Sequence, residues 1–96
     1  MNMLSTFRFK IESIEEGYSA YSNDIGGVIT VADTLEDIIP NAIEAVELTL
    51  EGEVHPAQIK RRFRKPQRGI INNSFDLVFD LKTGMYVSPE ELKLIA

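Results

Sequence analysis

The densest group of charged residues in the chain is the basic run KRRFRKPQR, residues 60–68, which holds six of the ten Lys and Arg residues. Its arginines could hold phosphates while one aromatic ring stacks on a base. No nucleic-acid-binding signature accompanies the run, and blocks of like charge are frequently loops. Three interpretations stay open: contact with nucleic acid, pairing with an acidic helix within or between subunits, and a solvated loop. The candidate nucleic-acid-binding residues are Lys60, Arg61, Arg62, Phe63, Arg64, Lys65 and Arg68.

A second group of charged residues lies on a predicted helix that contains no Lys or Arg. Its carboxylates lie away from the apolar stripe of the helix and are Asp37, Glu44, Glu47 and Glu51. Like charges at helical spacings cost roughly 0.2 to 0.5 kcal/mol per pair. The face is either a solubilising surface or a docking surface for a basic partner, whose charges would relieve the repulsion and steer association.

The residue types that support catalysis are sparse. His55 is the single histidine, and there is no cysteine to join it in a metal site or a triad. Gly26-Gly27 fits neither the Walker motif nor the dinucleotide-binding fingerprint, the two glycine-rich motifs that bind phosphate, so a turn is predicted there. Asp76 and Asp80 are about 13 Å apart along a strand, whereas two-metal centres hold their ions about 4 Å apart. The sequence therefore predicts no catalytic residue, metal or cofactor, and predicts that both aspartates are solvated.

Length and charge limit the remaining possibilities. The chain has 96 residues, 44% of them hydrophobic, which suits one domain with a modest core. Small domains gain stability from association, so a homo-oligomer is expected. Residues 1–54 hold eleven acidic residues against two basic ones, which favours a basic partner over nucleic acid for that part. Because no leader or membrane segment is visible, we expect a cytoplasmic protein.

Hydrophobic periodicity predicts an α+β domain that positions these charges. Alternation predicts a strand over 7–14, followed by a turn at Glu15-Glu16-Gly17 and a second strand over 18–22. Residues 28–31 are β-branched and predict a third strand, completing an antiparallel meander. Thr34 is the predicted N-cap of a helix of about 17 residues. Pro40, inside that helix, predicts a kink or a delayed start.

The second half of the chain begins with a long connection, residues 53–73, that contains the basic run. Alternation predicts a fourth strand over 74–81, and residues 85–87 pair back briefly after a turn. Ser88 and Pro89 then start a short terminal helix. The predicted order is β-β-β-α-β-α in a single domain, residues 1–96.

Residues 17–51 resemble the core of the HicB-like antitoxins of bacterial toxin-antitoxin pairs. The resemblance is carried by an aromatic strand that ends in a short Asp-Gly loop, a Thr-bearing strand, and Asp-Thr-Leu-Glu at the start of a helix. These elements are Asp24 to Gly27, Thr30, Asp33 to Glu36, Asn41 and Glu44-Ala45. With the first strand, about half of the chain is covered.

The resemblance implies a partial RNase H-like fold that lacks nuclease activity, binds a small basic RNA-cleaving toxin and commonly oligomerises. Three features depart from the family pattern: the loop after the second strand has no proline, Pro40 interrupts the helix, and the residues after the helix leave no room for a DNA-binding module. Neither autorepression by this chain nor a neighbouring toxin gene is therefore assumed, and the chain is either an antitoxin or a stand-alone relative that lacks the DNA-binding module. A nucleic-acid-binding accessory protein that uses residues 60–68 is the alternative.

Overall fold

The computed structural model describes residues 3–52, 59 and 63–95. They form an α+β fold, as predicted, with one antiparallel five-stranded sheet and two helices. The elements in chain order are β1 (Leu4–Ile14), β2 (Gly17–Ser22), β3 (Ile29–Ala32), α1 (Leu35–Glu51), β4 (Ser74–Asp80), β5 (Met85–Val87) and α2 (Pro89–Ile95). The strand order is β3-β2-β1-β4-β5, so β1 is central and β3 and β5 are the edges.

The predicted hairpin of β1 and β2 is confirmed, with Lys10 opposite Tyr21 in the antiparallel register. Alternation along β1 gives the sheet two faces. Phe7, Phe9 and Ile11 are buried on the inner face, which packs against α1, whereas Thr6, Arg8 and Lys10 point to the opposite, open face. β1 begins at Leu4, before the predicted boundary, because its first half pairs with β4.

The core on the inner face is built from phenylalanine rings of the two central strands. Phe7 stacks on Phe79 with ring centroids 5.6 Å apart, and Phe9 stacks on Phe75 at 5.3 Å. Such aromatic pairs contribute about 1 kcal/mol each beyond the area they bury. Helix α1 covers the same face through three fully buried side chains, Ile38, Ala42 and Val46.

Helix α1 has the predicted start and length. The Thr34 side chain accepts a hydrogen bond from the backbone N–H of Asp37 at 3.3 Å, and Leu35–Glu51 is the helix. The predicted delay at Pro40 is wrong, because the helix begins before the proline and runs through it. Pro40 removes the bond to the Glu36 carbonyl, but its ring is exposed while the buried face of the helix is anchored in the core.

The elements after the long connection also lie where they were predicted. β4 spans Ser74–Asp80, β5 pairs with it, and α2 starts after Ser88, whose hydroxyl accepts a hydrogen bond from the Glu91 N–H at 3.2 Å. Within the described ranges, no helix has the length and apolar character needed to cross a membrane.

Gly17 is the residue whose backbone decides how the hairpin meets β3. Its φ is +138°, and a Cβ atom there would collide with the carbonyl oxygen of Ala32, because the next residue of β2 is paired with Ala32. We expect Gly17→Ala to lower the free energy of unfolding by roughly 3 kcal/mol, the sum of backbone strain and steric overlap. Urea unfolding followed by circular dichroism measures this change.

Gly27→Ala is the matched control for that substitution. Gly27 also has a positive φ, +79°, but a Cβ atom there meets no atom within 4 Å among the described residues. Only backbone strain applies at this position, so we expect Gly27→Ala to lower the free energy of unfolding by about 1 to 2 kcal/mol. Equal losses in the two variants would show that Gly17 does not approach β3 closely.

Candidate functional site

A partly buried ion pair on the open face connects β1 to β4. The Arg8 guanidinium donates two parallel hydrogen bonds to the Asp76 carboxylate, from Nε to Oδ1 at 2.9 Å and from Nη2 to Oδ2 at 3.1 Å. The two residues are directly opposite in the β1–β4 register. The Asp76 side chain is fully buried, whereas Arg8 keeps 38% of its side chain exposed. The paired geometry compensates for burying the carboxylate.

Part of the basic run lies across this ion pair. We call residues 63–68 the strap. The Gln67 N–H donates to Asp76 Oδ2 at 2.9 Å, and the Gln67 side-chain amide donates to the Ser74 carbonyl at 2.8 Å. At the other end of the strap, the Thr6 hydroxyl donates to the Arg64 carbonyl at 3.0 Å. The strap is therefore held to both β1 and β4.

A second acidic residue, Asp24 in the loop between β2 and β3, holds the Arg64 side chain. Arg64 Nη2 donates to Asp24 Oδ2, and the Arg8 N–H donates to the same oxygen at 2.9 Å. Asp24 is buried, and its own N–H donates to the Ser22 hydroxyl at 3.1 Å. Arg64 is thus paired with the β2–β3 loop, and the predicted pairing of the basic run with the acidic helix is wrong for this residue.

The surroundings of Asp76 keep it ionised. Burial alone would raise the pKa of this carboxyl, but the hydrogen bonds from Arg8 and from the Gln67 N–H oppose that effect. The positive charges of Arg8 and Arg64 act in the same direction, so the pKa of Asp76 lies below its ordinary value. The prediction that Asp76 is solvated surface is wrong, because Arg8 and the strap cover it. Asp80 caps the following turn by accepting from the Lys82 N–H at 2.9 Å.

The other charged and aromatic residues of the strap form no ion pair or ring contact with a described residue. Phe63, Lys65 and Arg68 are exposed, and Phe63 keeps 47% of its surface accessible. Lys60, Arg61 and Arg62 lie outside the described residues, as does His55. Across the part of the chain that is described, no three His, Cys, Asp or Glu side chains form a group that could hold a metal ion.

The acidic side chains of α1 lie on its outer surface. Asp37, Glu44 and Glu51 recur every seven residues, which places them along one line of the helix. All three are exposed, and no ion pair to them is formed by any residue that the structure describes. Glu47 lies beside this line and accepts a hydrogen bond from the Tyr86 N–H at 3.2 Å. Asp37 also accepts a hydrogen bond from the Thr34 hydroxyl at 3.1 Å, so on the predicted acidic surface Glu44 and Glu51 form no hydrogen bond or ion pair with a described residue, Asp37 is engaged with the N-cap and Glu47 with β5.

The periodicity of the sequence did not reveal an apolar patch on the open face near the β3 edge. Its members are Ile14, Ile29 and Val31, which are 45%, 64% and 59% exposed. The β-branched run over residues 28–31 was a signal for a strand but gave no information about which strand forms the edge. A groove of about 440 Å³ adjoins this patch and is lined by Ile14, Glu16, Val31, Ala32, Asp33, Asp37 and Asn41.

Comparison of the chain with protein-family models, curated proteins and solved structures gives no significant match. The family resemblance therefore remains a prediction, and the function is inferred from the charges and surfaces described above.

Asp76→Asn tests the ion pair that holds the strap. We expect the substitution to lower the free energy of unfolding at pH 7 by about 2 kcal/mol, less than for a wholly buried pair because Arg8 is partly exposed. The folded pKa of Asp76 is depressed, so this stability is present above the ordinary carboxyl pKa and is lost as the pH falls through the folded pKa. Urea unfolding at pH 7 and at about pH 3 measures both effects.

Asp80→Asn is the control, because Asp80 lies on the same strand and face and forms no ion pair with a described residue. The difference in the free energy of unfolding between Asp76→Asn and the parent chain should be smaller at the acidic pH than at pH 7. A difference that is independent of pH would show that the Asp76 charge does not stabilise the fold.

Proposed function

We propose that this chain is a non-catalytic, HicB-like protein-interaction module that binds and neutralises a small basic RNA-cleaving toxin in the cytoplasm. The observation that carries the proposal is the line of exposed carboxylates on α1, residues 37, 44 and 51, which no described cation neutralises. A basic partner that brings Lys or Arg to this line would relieve the repulsion between these carboxylates and would be steered towards them over long range.

The order of elements also supports the proposal. The sequence β1-β2-β3-α1-β4 follows the β-β-β-α-β order of the partial RNase H-like unit implied by the resemblance. Hydrogen-bonding side chains on the open face are engaged in the Arg8–Asp76 and Arg64–Asp24 pairs, which suits a structural use of those charges. We also propose, from the resemblance and the small size of the domain, that the chain self-associates.

The second candidate is a nucleic-acid-binding accessory protein. The exposed ring of Phe63 and the exposed cations Lys65 and Arg68, all in the strap, favour it, since this mode of binding uses both stacking and phosphate contact. Against it, the strap cation Arg64 is already bound to a carboxylate. This candidate requires binding of RNA or DNA that is strongly weakened by salt and abolished by combining Arg61→Ala, Arg62→Ala and Arg64→Ala.

Charge reversal on α1 tests the proposed function. The probe is the short basic protein encoded next to this chain in its native genome, produced with and without the chain. We expect the chain to bind that protein and restore growth, and Glu44→Lys combined with Glu51→Lys to weaken binding by about tenfold or more at low salt. Isothermal titration calorimetry at about 50 mM and 500 mM NaCl measures the loss, which should shrink at high salt.

Glu12→Lys combined with Glu90→Lys is the control, because it makes the same change in net charge at exposed positions away from the outer face of α1. It should leave both binding and growth rescue near the parent values. Equal weakening by the two pairs of substitutions, or the absence of a short basic neighbouring gene product that the chain binds, would contradict the proposal.

A further inference from the structure

Strand β3 is an edge strand with backbone groups that point out of the sheet. It pairs with β2 on one side, and no described strand lies on the other. The Val31 carbonyl points away from β2, since it accepts a hydrogen bond from the Asn41 side chain at 2.9 Å. Backbone groups two residues apart point the same way, so the Ile29 N–H and C=O are also directed outward. Among the described residues, Asn41 engages the Val31 carbonyl, and the Ile29 N–H and C=O are the outward groups that can pair with another strand.

The side chains at this edge are apolar on the open face. Ile29 and Val31 lie on that face beside Tyr21, and both are more than half exposed. Farther across the same face, Thr6, Val78 and Val87 are buried where β1, β4 and β5 meet. Apolar residues on an unprotected edge strand are uncommon in soluble sheets, because they favour pairing with another chain.

The groove beside the edge is acidic. Glu16, Asp33 and Asp37 line it together with Val31 and Asn41. No described residue forms an ion pair with any of the three carboxylates. A strand added to β3 would direct alternate side chains towards the open face and the others towards the side of the sheet that carries α1 and the groove.

We propose that the β3 edge binds an extended segment of the basic partner as an added strand, with apolar side chains alternating with Lys or Arg. The apolar side chains contact Ile29 and Val31, and the basic ones contact Asp33 and Asp37. Main-chain hydrogen bonds supply affinity and the alternating side chains supply specificity. The inference rests on the proposed function for the identity of the partner, and it adds a docking mode and a sequence pattern.

Charge favours this occupant over a second copy of the chain. If the β3 strands of two copies paired about a twofold axis, the added strand would be Ile29–Ala32 of the second copy, which brings no Lys or Arg to Asp33 and Asp37 and adds a further carboxylate, its own Asp33. Like charges brought together at an interface oppose association. A strand that carries Lys or Arg at alternate positions replaces this repulsion with attraction.

The experiment uses a fluorescent peptide of about nine residues that alternates Val with Lys. Two companions differ from it: one has Glu in place of every Lys, and the other has a central proline that prevents strand pairing. We expect the Val–Lys peptide to bind the full chain with a dissociation constant of roughly 10 to 100 µM, measured by fluorescence anisotropy. The companions should bind at least about tenfold more weakly.

Substitutions in the chain locate the site. Ile29→Thr combined with Val31→Thr keeps β-branched residues but removes apolar contact, and should weaken the Val–Lys peptide at least tenfold. Met85→Thr is the control, because Met85 is an exposed apolar residue on the other edge strand, β5. Asp33→Lys should weaken binding of the Val–Lys peptide to the chain and strengthen binding of the Val–Glu peptide. Glu90→Lys, the same charge change far along the chain, should alter neither.

The switch from preferring the Val–Lys peptide to preferring the Val–Glu peptide, which Asp33→Lys should cause, tests the proposal even if the double threonine variant fails to fold. Equal binding of the Lys and Glu peptides by the parent chain, or an unchanged preference in Asp33→Lys, would overturn it. Sedimentation that shows dimers of the chain, dissociated by Ile29→Thr combined with Val31→Thr, would assign the edge to a second copy instead and also overturn it.

The outcomes separate this inference from the proposed function. If the peptides do not bind while Glu44→Lys with Glu51→Lys abolishes rescue by the full chain, docking at β3 is wrong and the proposed function stands. If the peptide preference follows the charge of residue 33 but no basic toxin is bound, the edge is a strand-binding site for another basic protein and the toxin assignment fails.

Discussion

The ion pair between Arg8 and Asp76 is the constraint on which the open face depends. It joins the central strand β1 to β4 between residues 68 positions apart in the chain, and it places a fully buried carboxylate where a solvated one was expected. A buried carboxylate must have its hydrogen-bonding capacity filled, and here the Gln67 N–H supplies the third donor. The chemistry of Asp76 therefore fixes both the strand pairing and the position of the strap.

Because the strap crosses the β1–β4 side, the open face is divided into two unlike parts. On one part, Thr6 and Val78 are buried and Arg64 is anchored to the loop between β2 and β3. On the other, Ile29 and Val31 remain exposed along the edge. The strap thus covers the β1–β4 part of the open face, whereas the side chains at the β3 edge keep more than half of their surface exposed.

The charges follow the same division. Arg64 is neutralised within the domain by Asp24, whereas the carboxylates of α1 and of the groove beside β3 lack a cation among the described residues. The acidic residues without a described ion-pair partner therefore extend from the groove beside β3 along the outer surface of α1. The β3 edge combines the outward backbone groups of Ile29, exposed apolar side chains and carboxylates without a described ion-pair partner, which are the three contributions that the proposed strand addition would use.

The sequence by itself determined the local structure. Alternation along β1, the Thr34 cap of α1 and the Ser88 cap of α2 depend on neighbours within a few residues, so the periodicity and capping rules located them. It also located the acidic surface of α1, since that surface depends on helical spacing alone. Of the two effects predicted for Pro40, the delayed helix start is wrong, because burial of the opposite helix face outweighs one missing hydrogen bond.

Tertiary structure alone decided which charges meet and which strand is the edge. The partners Arg8 and Asp76, and likewise Asp24 and Arg64, are 68 and 40 positions apart, and no local pattern encodes such a distance. Whether residues 29–31 are covered or exposed depends on the strand order β3-β2-β1-β4-β5. Periodicity reports the face on which a side chain lies. The elements that cover that face are set by long-range packing, for the physical reason that burial is a property of the assembled sheet.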